Sequence, residues 1–351
     1  MFTPRAAPRP EPASGAEQTQ VVVCAPGRLH LGFLDPAGTL GRRFGSLGLV
    51  IEHFETMVEL ALTKTDRITA ADRHAEAEIA RVATYLQTLR ERTGLRQGVH
   101  IHLARLLPAH AGLGSGTQLA LAIGRGFARL HGLDLRAELL AQWLGRGLRS
   151  GIGVAGFERG GLLLDAGPGA TGQVAPPLAR LDFPSRWRIV LALDHRQPGL
   201  SGTGETSAFA TLQPLDREGA ADICHQVLMR VLPGAADEDF AAFASGLTRV
   251  QQLLGLHFAP AQGGGPFTSE PVGRLMDWMA RNGGAAIGQS SWGPTGFAML
   301  PSAALAEELL HAASLQSLVP PDLELRIVQA RNTGASIHEQ RLPTPSRAGR
   351  R

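Results

Sequence analysis

The chain has 351 residues, 44% of them hydrophobic and 19% charged, the balance of a folded protein with one large domain or two ordinary ones. Its net charge of +3, dispersed arginines and single tyrosine exclude the usual nucleic-acid reader, which clusters cations and stacking rings. No apolar run approaches the ~20 residues of a membrane span, the proline-rich start carries no secretory core, and Cys24 and Cys224 read as free thiols of a reducing cytoplasm.

Residues 1–19 read as a disordered tail. Residues 21–25 form a buried-strand pattern that stops at Pro26-Gly27. Residues 45–62, with Val58, Leu60 and Leu62 alternating, read as strands, 75–93 as a helix and 99–103 as another strand. A glycine-rich loop at 108–118 then runs into an apolar helix. A second helix is expected at 136–149, and the glycine-punctuated run 151–167 as two short strands with tight turns. A strand at 187–193 opens the second half. Helices follow near 219–231, 237–255 and 271–281, then a glycine-rich loop at 283–296, a strand at 297–300, a helix at 302–316 and a strand at 323–329. Residues 337–351 read as a second tail. This mixed order implies an α+β fold of two lobes, 20–186 and 187–336.

The loop is the strongest chemical signal. In Gly112-Leu113-Gly114-Ser115-Gly116-Thr117-Gln118, three alternate glycines let the backbone turn tightly and approach a ligand. Ser115 or Thr117 is expected to cap the helix that follows. Free N–H groups and the helix dipole there favour an anion, so the loop reads as a phosphate cradle. It has neither the Gly-Lys-Ser/Thr of a Walker A loop nor the dinucleotide-fingerprint spacing. Of the 34 basic side chains only Lys64 is a lysine, so anion recognition must rest on arginine, whose planar fork suits phosphate and carboxylate.

Three further clusters carry chemistry-bearing residues. In the first, Arg28 and His30 share one side of an extended segment, and a turn at Gly38 and Gly41 is expected to fold Arg42 toward Asp35. The second places Asp194, His195 and Arg196 at a strand end before the glycine turn 199–204 and Glu205. In the third, Gln289, Ser290, Ser291, Trp292 and Gly293 offer backbone donors and one large ring. His100 and His102 lie on one strand without a third metal ligand in view.

Ala25-Pro26-Gly27-Arg28, the Pro-x-x-x-Gly-Leu-Gly-Ser of 108–115 and the late loop 288–296 resemble the three motifs of the GHMP kinase superfamily, in order, across residues 20–335. That resemblance implies an N-terminal lobe with a left-handed βαβ crossover and a ferredoxin-like C-terminal lobe. Arg28-Leu29-His30 with Asp35 and Arg42, the run 150–161, the Gly-Leu-Ser-Gly-x-x-Glu of 199–205 and Gln289-Ser290-Ser291-Trp292-Gly293-Pro294 resemble more closely one branch, the β-ribofuranosylaminobenzene 5′-phosphate synthase family. Mevalonate-type kinases resemble Ser-Gly-x-Asp where this chain has Ser150-Gly151-Ile152-Gly153, so their catalytic carboxylate is missing here.

The branch implies joining of phosphoribosyl pyrophosphate to 4-aminobenzoate, with loss of carbon dioxide and pyrophosphate, for methanopterin-type carriers. A 4-hydroxybenzoate acceptor is not distinguished. On this reading residues 112–118 hold the pyrophosphate, and Mg²⁺ arrives in complex with phosphoribosyl pyrophosphate. Arg28 and Arg42 meet phosphate or carboxylate, and His30 meets phosphate. Asp35 serves the metal or ribose, and Glu205 serves the ribose hydroxyls or the cationic carbon. Asp194, Gln289, Ser290, Ser291, Trp292 and Gly293 border the substrates, Trp292 beside the arene. The alternatives are an ATP-dependent small-molecule kinase and a catalytically silent phosphate-ester binder; a homodimer is compatible with either.

Overall fold

Two long strands, β1 (Gln18–Asp35) and β2 (Phe44–Thr63), pair antiparallel from Gln20↔Ala61 to Asp35↔Phe44. Their register shifts between Pro26 and Arg28 and again between His30 and Gly32. Such irregularities twist a strand and re-aim its side chains, and here they bracket Arg28 and His30. The computed structural model describes residues 18–169, 172–196, 199 and 202–342.

Next come β3 (Arg67–Ala70), α1 (Arg73–Glu76), α2 (Ile79–Thr93) and β4 (Gly98–Arg105), with β3 parallel to β4 across the helical connection. Asp72 caps α1 by accepting from the Ala75 N–H, and Gly94 ends α2 at φ +75°, the left-handed conformation glycine adopts without penalty. Then follow α3 (Ser115–Leu130), α4 (Ala137–Trp143), α5 (Ile152–Arg159), β5 (Leu162–Asp165) and β6 (Pro177–Leu181). In place of the two strands expected over 151–167, residues 152–159 are helical. The glycines there serve packing: a Cβ on Gly156 would lie 2.8 Å from Val50 Cγ2. The helix expected at 136–149 stops at Trp143 because Gly145 and Gly147 take φ of +67° and +77°.

The second half runs β7 (Arg188–Asp194), α6 (Gly202–Thr211), α7 (Arg217–Gln226), a π-helical turn at Val227–Val231, α8 (Leu232–Ala236), α9 (Phe240–Phe258) and α10 (Glu270–Gly283). It ends with β8 (Ala286–Gln289), β9 (Gly296–Leu300), α11 (Ala303–Leu315), β10 (Leu323–Val328) and β11 (Ser336–Leu342). Four of these strands form an antiparallel sheet in the order β10-β7-β9-β8, the 4-1-3-2 order of a ferredoxin-like lobe. The expected loop at 283–296 thus contains a buried strand, β8.

The other sheet runs β11-β1-β2-β4-β3, with β5 and β6 joined to it through β2. The reading of 337–351 as a tail is corrected for 337–342, which pair with β1 from Cys24↔Ser336 to Gln18↔Leu342. This edge strand is largely polar and exposed, as unprotected sheet edges tend to be, and so gives no buried-strand pattern. Residues 1–17 and 343–351 lie outside the described residues.

Three cores hold the layers together. Val58, Leu60 and Ile101 meet Leu121, Ile123 and Phe127 of α3 on the outer face of the first sheet. Leu29, Leu31 and Leu49 meet Ile189, Leu191, Val250 and Leu254 in the middle, joining the lobes through α9. Met276, Met279 and Leu309 cover the outer face of the second sheet. The continuous middle layer fixes β1, the loop before α3 and the loop after β8 against one another.

Candidate active site

The loop before α3 is tight because His110, Gly112 and Gly114 all have positive φ, 57°, 80° and 84°. It is also braced: a Cβ on Gly112 would stand 2.2 Å from the Ser290 carbonyl oxygen. Gly114 itself occupies the cap position, with no side-chain cap bond, which corrects the expectation that Ser115 or Thr117 caps α3. The N–H groups of Thr117 and Gln118 both reach the Gly114 carbonyl at 3.1 Å. Those of Ser115 and Gly116 precede the first intrahelical bonds and sit at the positive end of the helix dipole.

These amides open on a cleft of about 340 Å³, lined by Gly112, Gly114, Ser115, Gly116 and Thr117 and by Arg28, Arg81, Arg146 and Glu205. One Arg28 terminal nitrogen donates to the Gly112 carbonyl at 2.5 Å, while its buried Nε has no partner. Desolvation draws the Arg28 pKa down to about 10, opposed by Glu205, so the side chain stays cationic at neutral pH. Arg146 donates to the Tyr85 hydroxyl, lies 5.7 Å over that ring and also keeps an unpartnered buried Nε. Glu205 is paired with Arg149 at 2.6 Å. Three cationic side chains against one carboxylate, already paired, make the cleft receptive to a multiply charged anion.

The loop after β8 clamps this arrangement. Ser290 Oγ donates to the Gly112 carbonyl at 2.7 Å and accepts from the His30 N–H at 3.0 Å, and the Ser291 N–H donates to the His30 carbonyl at 3.2 Å. Ser291 and Trp292 also line a second, smaller cavity, which His30, Phe33, Phe258 and Gln289 share. The expectation that His30 meets phosphate is corrected: it faces this side cavity. Burial, then the Arg28 charge, push its pKa down to about 3, so its imidazole is neutral and gives an anion no charge. Trp292 is buried against Phe258, 4.3 Å between centroids, and borders both spaces.

Several expected site residues are committed to structure. Asp35 accepts from the Gly38 and Leu40 N–H groups at 2.8 and 2.7 Å and from Thr39 Oγ1 at 3.3 Å. It closes its own turn and lines neither space. Arg42 donates to the Gly167 carbonyl at 3.0 Å; Arg43, not Arg42, folds back over this turn, onto the Pro36 carbonyl. Asp194 is held by Arg196 at 2.9 Å and by the Ser269 hydroxyl at 2.7 Å, and the Arg196 bonds lead in drawing its pKa to about 2. Gln118 is buried, donating to the Gly153 carbonyl at 2.9 Å, and Leu113 belongs to the core. Gln289 accepts from the Thr268 N–H at 2.6 Å while bordering the side cavity.

Arg28, Glu205, Gly112, Gly114, Ser115, Gly116, Thr117, Ser291, Trp292 and Gly293 therefore converge on the cleft. Leu200 and Ser201 of the 199–205 motif lie outside the described residues. Sequence reading missed Arg81 and Arg146, which look like any other exposed-helix or turn arginine in an arginine-rich chain. Among the described residues no group of three or more His, Cys, Asp or Glu is placed to hold a metal ion. His100 and His102 instead share Thr69 Oγ1, each at 3.0 Å.

The profile for the GHMP kinases N terminal domain matches residues 79–161, and that for the GHMP kinases C terminal domain matches 231–316. The fold is similar to homoserine kinase from Cytophaga hutchinsonii, with a TM-score of 0.65 at 16% identity over 91% of this chain and 97% of that one. Mevalonate diphosphate decarboxylase from Staphylococcus aureus aligns with a TM-score of 0.64 at 15% identity, over 92% and 98%. Fold and profiles together define a protein of the GHMP kinase superfamily.

Sequence relatives narrow this. The chain is 32% identical to β-ribofuranosylphenol 5′-phosphate synthase from Methanothermobacter thermautotrophicus over 78% of its own length and 87% of the relative's. It is 34% identical to the same-named protein from Archaeoglobus fulgidus over 79% and 87%. The chain belongs to the β-ribofuranosylphenol 5′-phosphate synthase family.

Proposed function

We propose that this protein is a pentosyltransferase that moves the phosphoribosyl group of phosphoribosyl pyrophosphate onto the ring of a para-substituted benzoate. Carbon dioxide and pyrophosphate are released, and the product is the arene portion of a methanopterin-type carrier. The relatives' name specifies a ribofuranosylphenol product, so 4-hydroxybenzoate is the acceptor to test first and 4-aminobenzoate, which the sequence motifs suggest, the second.

The observation that carries this reading is the cleft, where open amides of Ser115 and Gly116 and the guanidinium groups of Arg28 and Arg146 converge. Such donors suit the leaving diphosphate and bear on charge as it develops there. A kinase reading fits less well. Gly153, where mevalonate-type kinases resemble aspartate, lies beside the loop: a Cβ there would be 3.1 Å from Thr117 Cγ2. The position adjoins the site but carries no base, and Glu205 is engaged by Arg149.

As the C1–oxygen bond breaks, its electron pair leaves with the diphosphate, and Arg28 and Arg146 hold that charge. Glu205, across the cleft, faces the electron-poor ribose carbon. The acceptor ring then bonds to that carbon, so the protein's work is alignment and charge placement. Mg²⁺ arriving with the diphosphate would take its ligands from substrate oxygens and water, with Glu205, paired to Arg149, as the single carboxylate of the cleft; the ion would neutralise part of the diphosphate charge.

Incubation with phosphoribosyl pyrophosphate, Mg²⁺ and carboxyl-labelled 4-hydroxybenzoate or 4-aminobenzoate should release labelled carbon dioxide together with pyrophosphate. ATP-dependent phosphorylation of a small alcohol, with no labelled gas, would overturn the proposal.

A further inference from the structure

We infer that the side cavity beside the cleft seats the acceptor's ring, and that His30 Nε2 accepts a hydrogen bond from the ring's para hydroxyl or amino group. This rests on the proposed function and adds a binding site and a residue role to it. The cavity has aromatic walls in Phe33, Phe258 and Trp292, with Leu254 completing its apolar side. Flat apolar walls of this kind suit a single ring packed offset or edge-on. Ser291 and Trp292 line both the cavity and the cleft, so a ring seated in one can present its far carbon to the other.

The polar groups around the cavity identify the reading end. Gln251 donates to the Leu31 carbonyl at 2.6 Å and accepts from the Gln289 N–H at 2.9 Å. Gln289 donates to the Ser291 carbonyl at 3.1 Å. His30 Nε2, by contrast, is buried without a partner. A neutral imidazole keeps one ring nitrogen as an acceptor, and in the Nδ1-protonated tautomer that acceptor is the unpartnered Nε2. A buried acceptor left empty is costly, and a para O–H or N–H supplies the missing donor.

The same contact serves the reaction. As the ring carbon bearing the carboxylate bonds to C1 of the ribose, a lone pair on the para oxygen moves into the ring and its proton passes to His30 Nε2, leaving a neutral dienone. The carboxylate then departs as carbon dioxide. Its bonding pair restores the aromatic ring, and the resulting phenolate takes the proton back from His30. A para amino group follows the same course through N–H.

The test is calorimetric binding of 4-hydroxybenzoate and of plain benzoate, in the presence of pyrophosphate and Mg²⁺, alongside the acceptor KM. Wild type should prefer 4-hydroxybenzoate by about tenfold or more, and His30→Phe should erase the preference. Leu254→Trp, which fills the cavity from the opposite wall, should abolish binding of both acids while pyrophosphate still binds. Should labelled carbon dioxide be released while both variants keep wild-type preference and acceptor KM, the pocket inference falls and the proposed function stands. Wild type that releases no gas yet shows the preference, lost in His30→Phe, would overturn the reaction while supporting the pocket.

Discussion

The middle and the C-terminal end of β1 put charged residues to opposite uses. At Arg28 and His30, the register shifts turn side chains toward the lobe junction, where Arg28 Nε and His30 Nε2 are buried without partners. Seven residues after Arg28, Asp35 meets three donors within its own turn. Asp165, which accepts from the Gly151 and Gly167 N–H groups at 2.7 Å each, repeats the second pattern. At Asp35 and Asp165 the carboxylate beside glycines is a loop clasp. At the site the opposite holds: Arg28, Arg146 and His30 each keep buried hydrogen-bonding capacity uncommitted.

The largest expected effect sharpens that contrast. Arg28→Ala removes a guanidinium facing the cleft and should cost about 2–5 kcal/mol in kcat/KM, because the anion loses the buried charged donor next to the loop and keeps only Arg81 and Arg146. Steady-state kinetics with varied phosphoribosyl pyrophosphate would measure it. A fall of less than threefold would break the comparison at its active end.

Next in size is a pH effect at His30. An unfolded chain takes up a proton there near the ordinary value of 6.5, while the folded state resists until about 3. The unfolded state therefore binds more protons within this window, and stability falls as pH drops through it. Denaturant titrations between pH 7 and 4 should show that slope, and His30→Phe should flatten it. An unchanged slope would mean that His30 is not held neutral.

Gly114→Ala should cost about 1–2 kcal/mol of stability, since alanine at φ +84° is strained. Its Cβ would also press on Arg28 Cζ at 3.3 Å, so pyrophosphate affinity should fall about tenfold or more. Melting and titration together separate the two effects. The smallest effect belongs to Arg42→Ala, which removes one hydrogen bond to the Gly167 carbonyl and should leave kcat/KM within about threefold. A decrease comparable to that of Arg28→Ala would return Arg42 to the site.

Much of the cleft was legible because its signal is local. Glycines at 112 and 114, the helix after them and the serine pair at 290–291 are contiguous patterns with a steric reason. Arg28 and Glu205 stood out in charged, glycine-flanked clusters, and the motif resemblance then gave them roles. Arg81 and Arg146 were not legible, since only the folding of α2 and of the 145–147 turn toward the loop separates them from other surface arginines. The reverse error, at Asp35, Arg42 and Asp194, arose because sequence shows a charge but not whether neighbouring amides already satisfy it. Strand β11 escaped for a related reason: its partner, β1, lies more than 300 residues away in the chain.

Backbone amide NMR during titration with pyrophosphate and Mg²⁺ compares the loop beside Arg28 with the turn closed by Asp35 in a single experiment. The resonances of Ser115 and Gly116 should move most, and those of Gly38 and Leu40, bound to Asp35, should stay in place. Shifts at Gly38 and Leu40 with Ser115 and Gly116 unmoved would contradict the account.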